Sequence, residues 1–369
     1  MTPVASLQSQ LFNAIKHGDP NRFDSLALEV FAYQYAHNLP YRAFCDRRSL
    51  TPDRIDHWRQ IPAVPTTAFK VAELTCRPDR PSTLFLTSGT TQGQERRGRH
   101  LVADLAFCHA AILSNAQAHL FPDLPLSGGR RLLMLSLTPP PSQRPNSSLI
   151  HMIDLLMQQW GSTDSRYLGT SDGLDGEALR RALRRAVDEG TPAALFGTTA
   201  AFMRWFEQCD SAGWRVVLPA GSRLMDTGGL KGVDGLQSSS MKAIEQREIF
   251  LAFCERLLGL PTRAVVNEYG MTELGSQFYS SGVGMKVVPP WVRVRLIDPA
   301  TNEEAPSGEP GLVCVYDLAN LHSVMAIQTD DLGIKPPGAI DGFQLLGRVA
   351  GAEPRGCSLD PSAALLGAR

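Results

Sequence analysis

The sequence predicts an α/β fold with much of its sheet parallel and a smaller antiparallel region toward its end. Three observations carry this expectation. Short apolar runs recur at 84–87, 132–137, 193–196, 216–218 and 264–266. Stretches with helical spacing, such as 178–187 and 241–258, lie between them, and that alternation is the pattern of βα units. After Val292 the pattern changes: 292–297 alternates apolar and basic residues, 306–310 supplies a turn, and 312–316 reads as another strand.

The elements follow in order. Residues 1–80 read as a helical segment, with apolar positions at helical spacing in Leu7, Leu11 and Ile15, then in Phe23, Leu26, Leu28, Val30 and Phe31. Pro62 and Pro65 break that pattern before the first strong strand. Residues 81–290 form the α/β core; its run 132–137 meets Pro139, Pro140 and Pro141, so it is a buried strand ending in a loop. Residues 291–369 form a β-rich subdomain and a short tail. No internal repeat is present.

Composition narrows the function classes. The chain of 369 residues is 43% hydrophobic and 20% charged, an ordinary globular balance. A formal charge of −1, from 36 basic and 37 acidic residues, gives no electrostatic reason to expect nucleic acid or anionic membrane. The seven cysteines are scattered with no CxxC pair, which speaks against zinc ribbons and a disulfide framework. The histidines form no HxxxH or HxxE pattern. No signal peptide and no stretch of roughly 20 apolar residues is present, so the expected location is the cytosol and no membrane span is expected.

Four motifs carry chemistry. Residues 84–93, LFLTSGTTQG, are a strand followed by glycines and hydroxyls, a loop suited to phosphate or a plain turn. The Walker A spacing is absent. Residues 267–275, NEYGMTELG, stand directly after the strand 264–266, where α/β folds gather ligands. There Tyr269 offers a flat face for a purine, and Glu273 is a hard oxygen ligand for magnesium or a solvated surface charge. Residues 328–333, QTDDLG, set adjacent carboxylates at a strand end, for a ribose diol or a turn. Gly347-Arg348 follows the apolar run 343–346, with arginine for phosphate, ribose or a carboxylate partner.

In that order, the TSGTT loop, the YGxTE loop, the TxD strand and the GR pair resemble the adenylate-forming superfamily of acyl-CoA synthetases. The phrases IPAVPTTAFK (61–70), LHSVMAIQTDDLG (321–333) and GRVAGAEPRGCS (347–358) resemble more narrowly the acyl-protein synthetase family of the LuxE type. The resemblance implies a fold like the N-terminal domain of adenylate-forming enzymes, α/β sheets with a small antiparallel region, lacking the usual C-terminal lid domain. It implies ATP and Mg2+ as cofactors, a small-molecule carboxylic acid, fatty in this family's pattern, as substrate, and an acyl reductase as partner protein.

Residue by residue, the resemblance assigns Thr87, Ser88, Gly89, Thr90 and Thr91 to the ATP phosphates. Gly228 and Gly229 would line the adenine and acyl side, Tyr269 would stack on adenine within Tyr269-Gly270-Met271, and Thr272 would contact phosphate. Glu273 would hold magnesium, Asp331 the ribose hydroxyls with Arg348 nearby, and Cys357 would accept the acyl group as a thioester. Two departures stand out. Gln92 replaces the glycine expected after Thr-Thr, with Gln94, Glu95, Arg96 and Arg97 following, so Arg96 or Arg97 would have to supply the loop's charge. The chain ends 21 residues after Arg348 and has no lysine beyond Lys335. Two other readings stay open: adenylation of an aromatic acid without an acyl-cysteine, and an inactive scaffold that binds a partner.

Overall fold

The computed structural model describes residues 3–80, 82–87, 97–170, 173–228, 243–338 and 342–348. The chain begins with helices α1 (Pro3–His17), α2 (Phe23–His37) and α3 (Leu39–Asp46). Leu7, Leu11 and Ile15 of α1, and Phe23, Leu26, Val30 and Phe31 of α2, are buried, as their spacing requires. Asn38 caps α3 by accepting the Tyr41 N–H. The short strand β1 (Val64–Pro65) and helix α4 (Ala68–Val71) follow, then the hairpin β2 (Thr83–Leu86) and β3 (Arg99–Val102), and α5 (Leu105–His119).

Alternation then sets in: β4 (Leu133–Ser136), α6 (Ser148–Trp160), β5 (Arg166–Tyr167), the small hairpin β6 (Gly169–Thr170) and β7 (Gly173–Leu174), and α7 (Gly176–Asp188). It continues with β8 (Ala193–Thr198), α8 (Thr199–Ser211), β9 (Arg223–Thr227), α9 (Ala243–Leu258) and β10 (Val265–Tyr269). Ser147, Asp175 and Thr198 start α6, α7 and α8 by accepting the N–H three residues on. The chain closes with β11 (Phe278–Ser281), β12 (Val292–Ile297), β13 (Pro310–Asp317), β14 (Ala326–Ile334) and β15 (Gln344–Arg348).

Two compact units result: Met1–Ser114 with Met271–Gln277 and Val287–Arg369, and Asn115–Gly270 with Phe278–Lys286. The first holds the sheet β1-β14-β13-β12, with β15 on the far part of β14; only β1 runs parallel to its neighbour. The second holds the sheet β11-β10-β9-β8-β4-β5, parallel throughout except at β10–β11. Its register aligns Leu135, Leu195, Leu224 and Val265 across four strands, each fully buried. They pack with Phe202 and Phe206 of α8 and Phe250 of α9, where each large apolar side chain removed from water contributes about 1.5–3 kcal/mol.

The expected α/β fold with mixed sheets is the observed one. Three local expectations are corrected. Residues 216–218 are not a strand: the Val216 and Leu218 N–H groups donate to the carbonyls of Leu257 and Leu258 at 2.9 and 3.0 Å, and Val217 is 74% exposed. The sheet position belongs to β9, whose Arg223 and Asp226 disguised it; Asp123 and Arg247 neutralise them, each at 2.6 Å. Residues 267–269 are strand rather than loop, because β10 extends to Tyr269 alongside β9 and β11. Residues 328–333 lie within β14 rather than at a strand end, so its alternation turns Asp331 inward and leaves Asp330 exposed. Among the described residues no helix is long and apolar enough to cross a membrane.

Candidate functional site

The first unit assembles one group of expected residues around the β2–β3 hairpin. Thr87 directly follows β2; its N–H donates to the Gly98 carbonyl at 3.0 Å, and its hydroxyl accepts the Gly98 N–H at 2.8 Å. A Cβ at Gly98 would stand 2.9 Å from Thr87 Cγ2 and 3.5 Å from Phe69 Cβ, so glycine is what lets the three segments meet. Ser88, Gly89, Thr90 and Thr91 lie outside the described residues.

The segment Met271–Gln277 is tied to this hairpin and to β13. His100 on β3 donates from Nδ1 to the Thr272 carbonyl at 2.7 Å, and burial holds that imidazole neutral by pushing its pKa down to about 4. The Thr272 hydroxyl reaches the Leu86 carbonyl only at 3.5 Å, a weak bond. Asn320 donates to the Glu273 carbonyl at 2.8 Å, while the Gly275 N–H and the Ser276 hydroxyl donate to the Asp317 carboxylate at 3.0 and 2.8 Å. Burial pushes Asp317 up in pKa, against which these donors act. The loop is thus held largely through its main chain.

That leaves the Glu273 side chain available. It is 5% exposed, and among the described residues it makes no ion pair. Burial pushes its carboxyl up to about 7, and the charges of Arg348 and Lys70 draw it back only in part. Asp331 and Arg348 face each other across β14 and β15, with Arg348 Nε 3.3 Å from Asp331 Oδ1. The Asp331 side chain is 9% exposed and that of Arg348 62%, so the carboxylate is set in the sheet while the guanidinium reaches solvent.

In the second unit, Tyr269 ends β10; its ring is buried and lies 5.7 Å from Phe278 at a 40° tilt. Gly228 follows β9 with φ +79°, a backbone state that favours glycine, and its carbonyl accepts from the Thr199 hydroxyl at 3.0 Å. Gly270 follows Tyr269 directly. Gly229 and Cys357 lie outside the described residues.

Sequence reasoning missed a buried polar cluster at the ends of β9 and β10. Asp226 accepts from Arg247 at 2.6 Å, Thr199 at 2.8 Å and Asn267 at 2.9 Å. Lys286 donates to the Asn267 carbonyl at 2.9 Å, to Asn267 Oδ1 and to Ser280 Oγ at 3.1 Å, while the Thr227 hydroxyl donates to Glu268. Burial pushes the Lys286 ammonium down to about 7 and Glu268 upward, with Asp226 and Glu268 drawing the ammonium back. The available signal was two acidic residues inside apolar strands, immediately before the TGG and YGMTE loops.

The donors suit magnesium in one manner only. Among the described residues no three His, Cys, Asp or Glu side chains cluster as a metal cage. A single buried carboxylate completed by substrate phosphates is the ordinary way in which nucleotide magnesium is held. A divalent cation beside Glu273 would also favour the ionised form that burial opposes.

Comparison with known proteins sharpens these features. Residues 170–366 match the family model described as acyl-protein synthetase, LuxE. The chain is 23% identical over 349 residues to a long-chain-fatty-acid–luciferin-component ligase of Vibrio harveyi, across 91% of this chain and 86% of that one. A ligase of the same name from Aliivibrio fischeri is 22% identical over 347 residues, again across 91% and 86%. Among solved structures, an open conformation of 2-hydroxyisobutyryl-CoA ligase in complex with 2-HIB-AMP and CoA gives a TM-score of 0.61 at 15% identity, covering 88% of this chain and 69% of that one. At such identity the likeness is one of fold.

Proposed function

The chain belongs to the acyl-protein synthetase (LuxE) family, and from that premise we propose that it joins a long-chain fatty acid to AMP and then takes the acyl group onto Cys357. The observation that supports the reading is the tethering of Thr272, the neighbour of Glu273, to the β2–β3 hairpin beside Thr87, in the unit that also carries Asp331 and Arg348. The named relatives, both long-chain fatty acid ligases, favour a fatty over an aromatic acid.

In the first step a carboxylate oxygen of the acid attacks the α-phosphorus of ATP. A new P–O bond forms, the bond to the bridging oxygen breaks, and pyrophosphate leaves. Glu273 would hold Mg2+, which when bound neutralises phosphate charge. Thr87 and Thr272 would donate their hydroxyls to phosphate, and the resemblance adds Ser88, Gly89, Thr90 and Thr91 to that role. The inward carboxylate of Asp331 accepts from the ribose hydroxyls, and Arg348 stands close enough to assist. The family resemblance would assign Gly228, Gly229, Tyr269, Gly270 and Met271 to the adenine and acyl side.

In the second step the Cys357 thiolate attacks the acyl carbonyl. The C–S bond forms, the C–O bond to phosphate breaks, AMP leaves, and the thiol proton goes to solvent. An acyl reductase would then receive the acyl group from the thioester.

Acid-dependent exchange of pyrophosphate into ATP across fatty and aromatic acids tests the first step. Exchange with fatty acids supports the reading, exchange with aromatic acids alone favours the aromatic alternative, and no exchange favours the scaffold. Labelled acid with MgATP should leave label on the denatured chain that neutral hydroxylamine removes. Cys357→Ala should lose that label and retain exchange; label that persists in the variant refutes the acyl-cysteine.

A further inference from the structure

The nucleotide reading leaves one need unmet. A triphosphate demands cationic groups on the protein; Arg348 already faces Asp331 at 3.3 Å, and the sequence alone leaves open whether Arg96 or Arg97 supplies the loop's charge. The fold brings two further basic residues close to Thr87. Phe69 and Thr87 converge on Gly98, where a Cβ would lie 3.5 and 2.9 Å from them. Lys70 follows Phe69 in α4, and Arg97 precedes Gly98, so both basic residues flank that meeting point.

We propose that Lys70 and Arg97 form a two-cation cradle beside Thr87 for the β- and γ-phosphates of ATP, and so for the departing pyrophosphate. The proposal rests on the nucleotide reading above. Two independent observations support it. Arg97 Nε is buried and has no hydrogen-bond partner among the described residues, so the donor calls for a partner from a ligand, an ion or water. Lys70 is exposed beside the buried Phe69, and among the described residues it makes no ion pair.

The surroundings hold both residues in position. The Phe69 ring meets the His100 ring edge to face at 5.5 Å, and the same His100 carries the Thr272 carbonyl. The Thr66 N–H donates to the Gln328 carbonyl at 3.1 Å, which fixes the approach to α4 against β14. One short helix is thereby registered against Thr87 and Gly98, the Thr272 segment and the strand of Asp331. Arginine suits this task through its planar fork and lysine through its mobile point charge. The stretch IPAVPTTAFK acquires a role: it delivers Lys70.

Calorimetric titration of the full chain with MgATP, with magnesium pyrophosphate and with AMP tests the cradle. Lys70→Met and Arg97→Gln should each weaken MgATP and pyrophosphate about tenfold, and the double variant about a hundredfold. AMP, which lacks the β- and γ-phosphates, should bind all forms alike, and Lys70→Arg and Arg97→Lys should recover most of the affinity. The melting temperature of Lys70→Met should match that of the wild type. MgATP affinity unchanged in both single variants, or AMP weakened as much as MgATP, overturns the cradle. A wild type that binds AMP and MgATP while the variants match it overturns the cradle alone; a wild type that binds neither overturns the nucleotide reading with it.

Discussion

Replacing Glu273 by Gln separates what the carboxylate does for the fold from what it does for the reaction. Burial raises its pKa from 4.5 to about 7, so the folded protein resists the charge that the unfolded chain carries freely. Between those values the native state binds more protons, and its stability therefore falls as pH rises; above the upper value the penalty is constant. A shift of that size corresponds to at most about 3 kcal/mol. The amide of the variant carries no charge, so Glu273→Gln should match the wild type near pH 4 and exceed it by up to about 3 kcal/mol near pH 8. Urea unfolding at the two pH values measures this. In the same preparation, pyrophosphate exchange should fall at least about tenfold, and MgATP should stabilise the wild type more than the variant. A variant less stable than the wild type near pH 8 would refute the premise that the carboxylate waits, desolvated, for a cation.

Other outcomes follow from the same coordinates. Asp331→Ala should lower pyrophosphate exchange at least about tenfold and raise KM for ATP, since a lost hydrogen bond to a charged group typically costs about 1.5–3 kcal/mol; unchanged KM would detach it from the nucleotide. Gly98→Ala places a methyl 2.9 Å from Thr87 Cγ2, so the hairpin must shift: KM for ATP should rise and the melting temperature should fall. Lys286→Met strips Asn267 and Ser280 of their donor and leaves Asp226 and Glu268 with Arg247 as their remaining cation; urea unfolding should register a loss of about 3–5 kcal/mol. A loss within about 0.5 kcal/mol would show that the cluster does not depend on the ammonium.

Much of the fold was legible because its strongest signals are local. The helical spacing of Leu7, Leu11 and Ile15 and the alternation of 292–297 each report one element without help from a distant one. β9 escaped because Arg223 and Asp226 interrupt its apolar pattern, and their partners Asp123 and Arg247 lie far along the chain. The reverse error at 216–218 has the same root: apolar residues there are used by a segment bonded to the end of α9, a relation that spans some forty positions. The nucleotide motifs were readable as ordered phrases, whereas the Asp226–Lys286 cluster draws single residues from several elements and leaves no phrase to recognise. Lys70 stood in a quoted phrase, but its bearing on Glu273 depends on how α4 packs against β3.

The main-chain anchoring of the YGMTE segment has a consequence for how this site can change. The bonds from His100 and Asn320 end on the carbonyls of Thr272 and Glu273, which every amino acid possesses. Side chains at these two positions can therefore be exchanged without releasing the loop from its supports. Aspartate, histidine or cysteine at 273 would present a shorter or softer ligand from the same backbone, and manganese, cobalt or cadmium could be matched against each in turn. If Glu273 holds the proposed magnesium, the position is a socket in which metal preference can be engineered separately from the main-chain bonds that hold it.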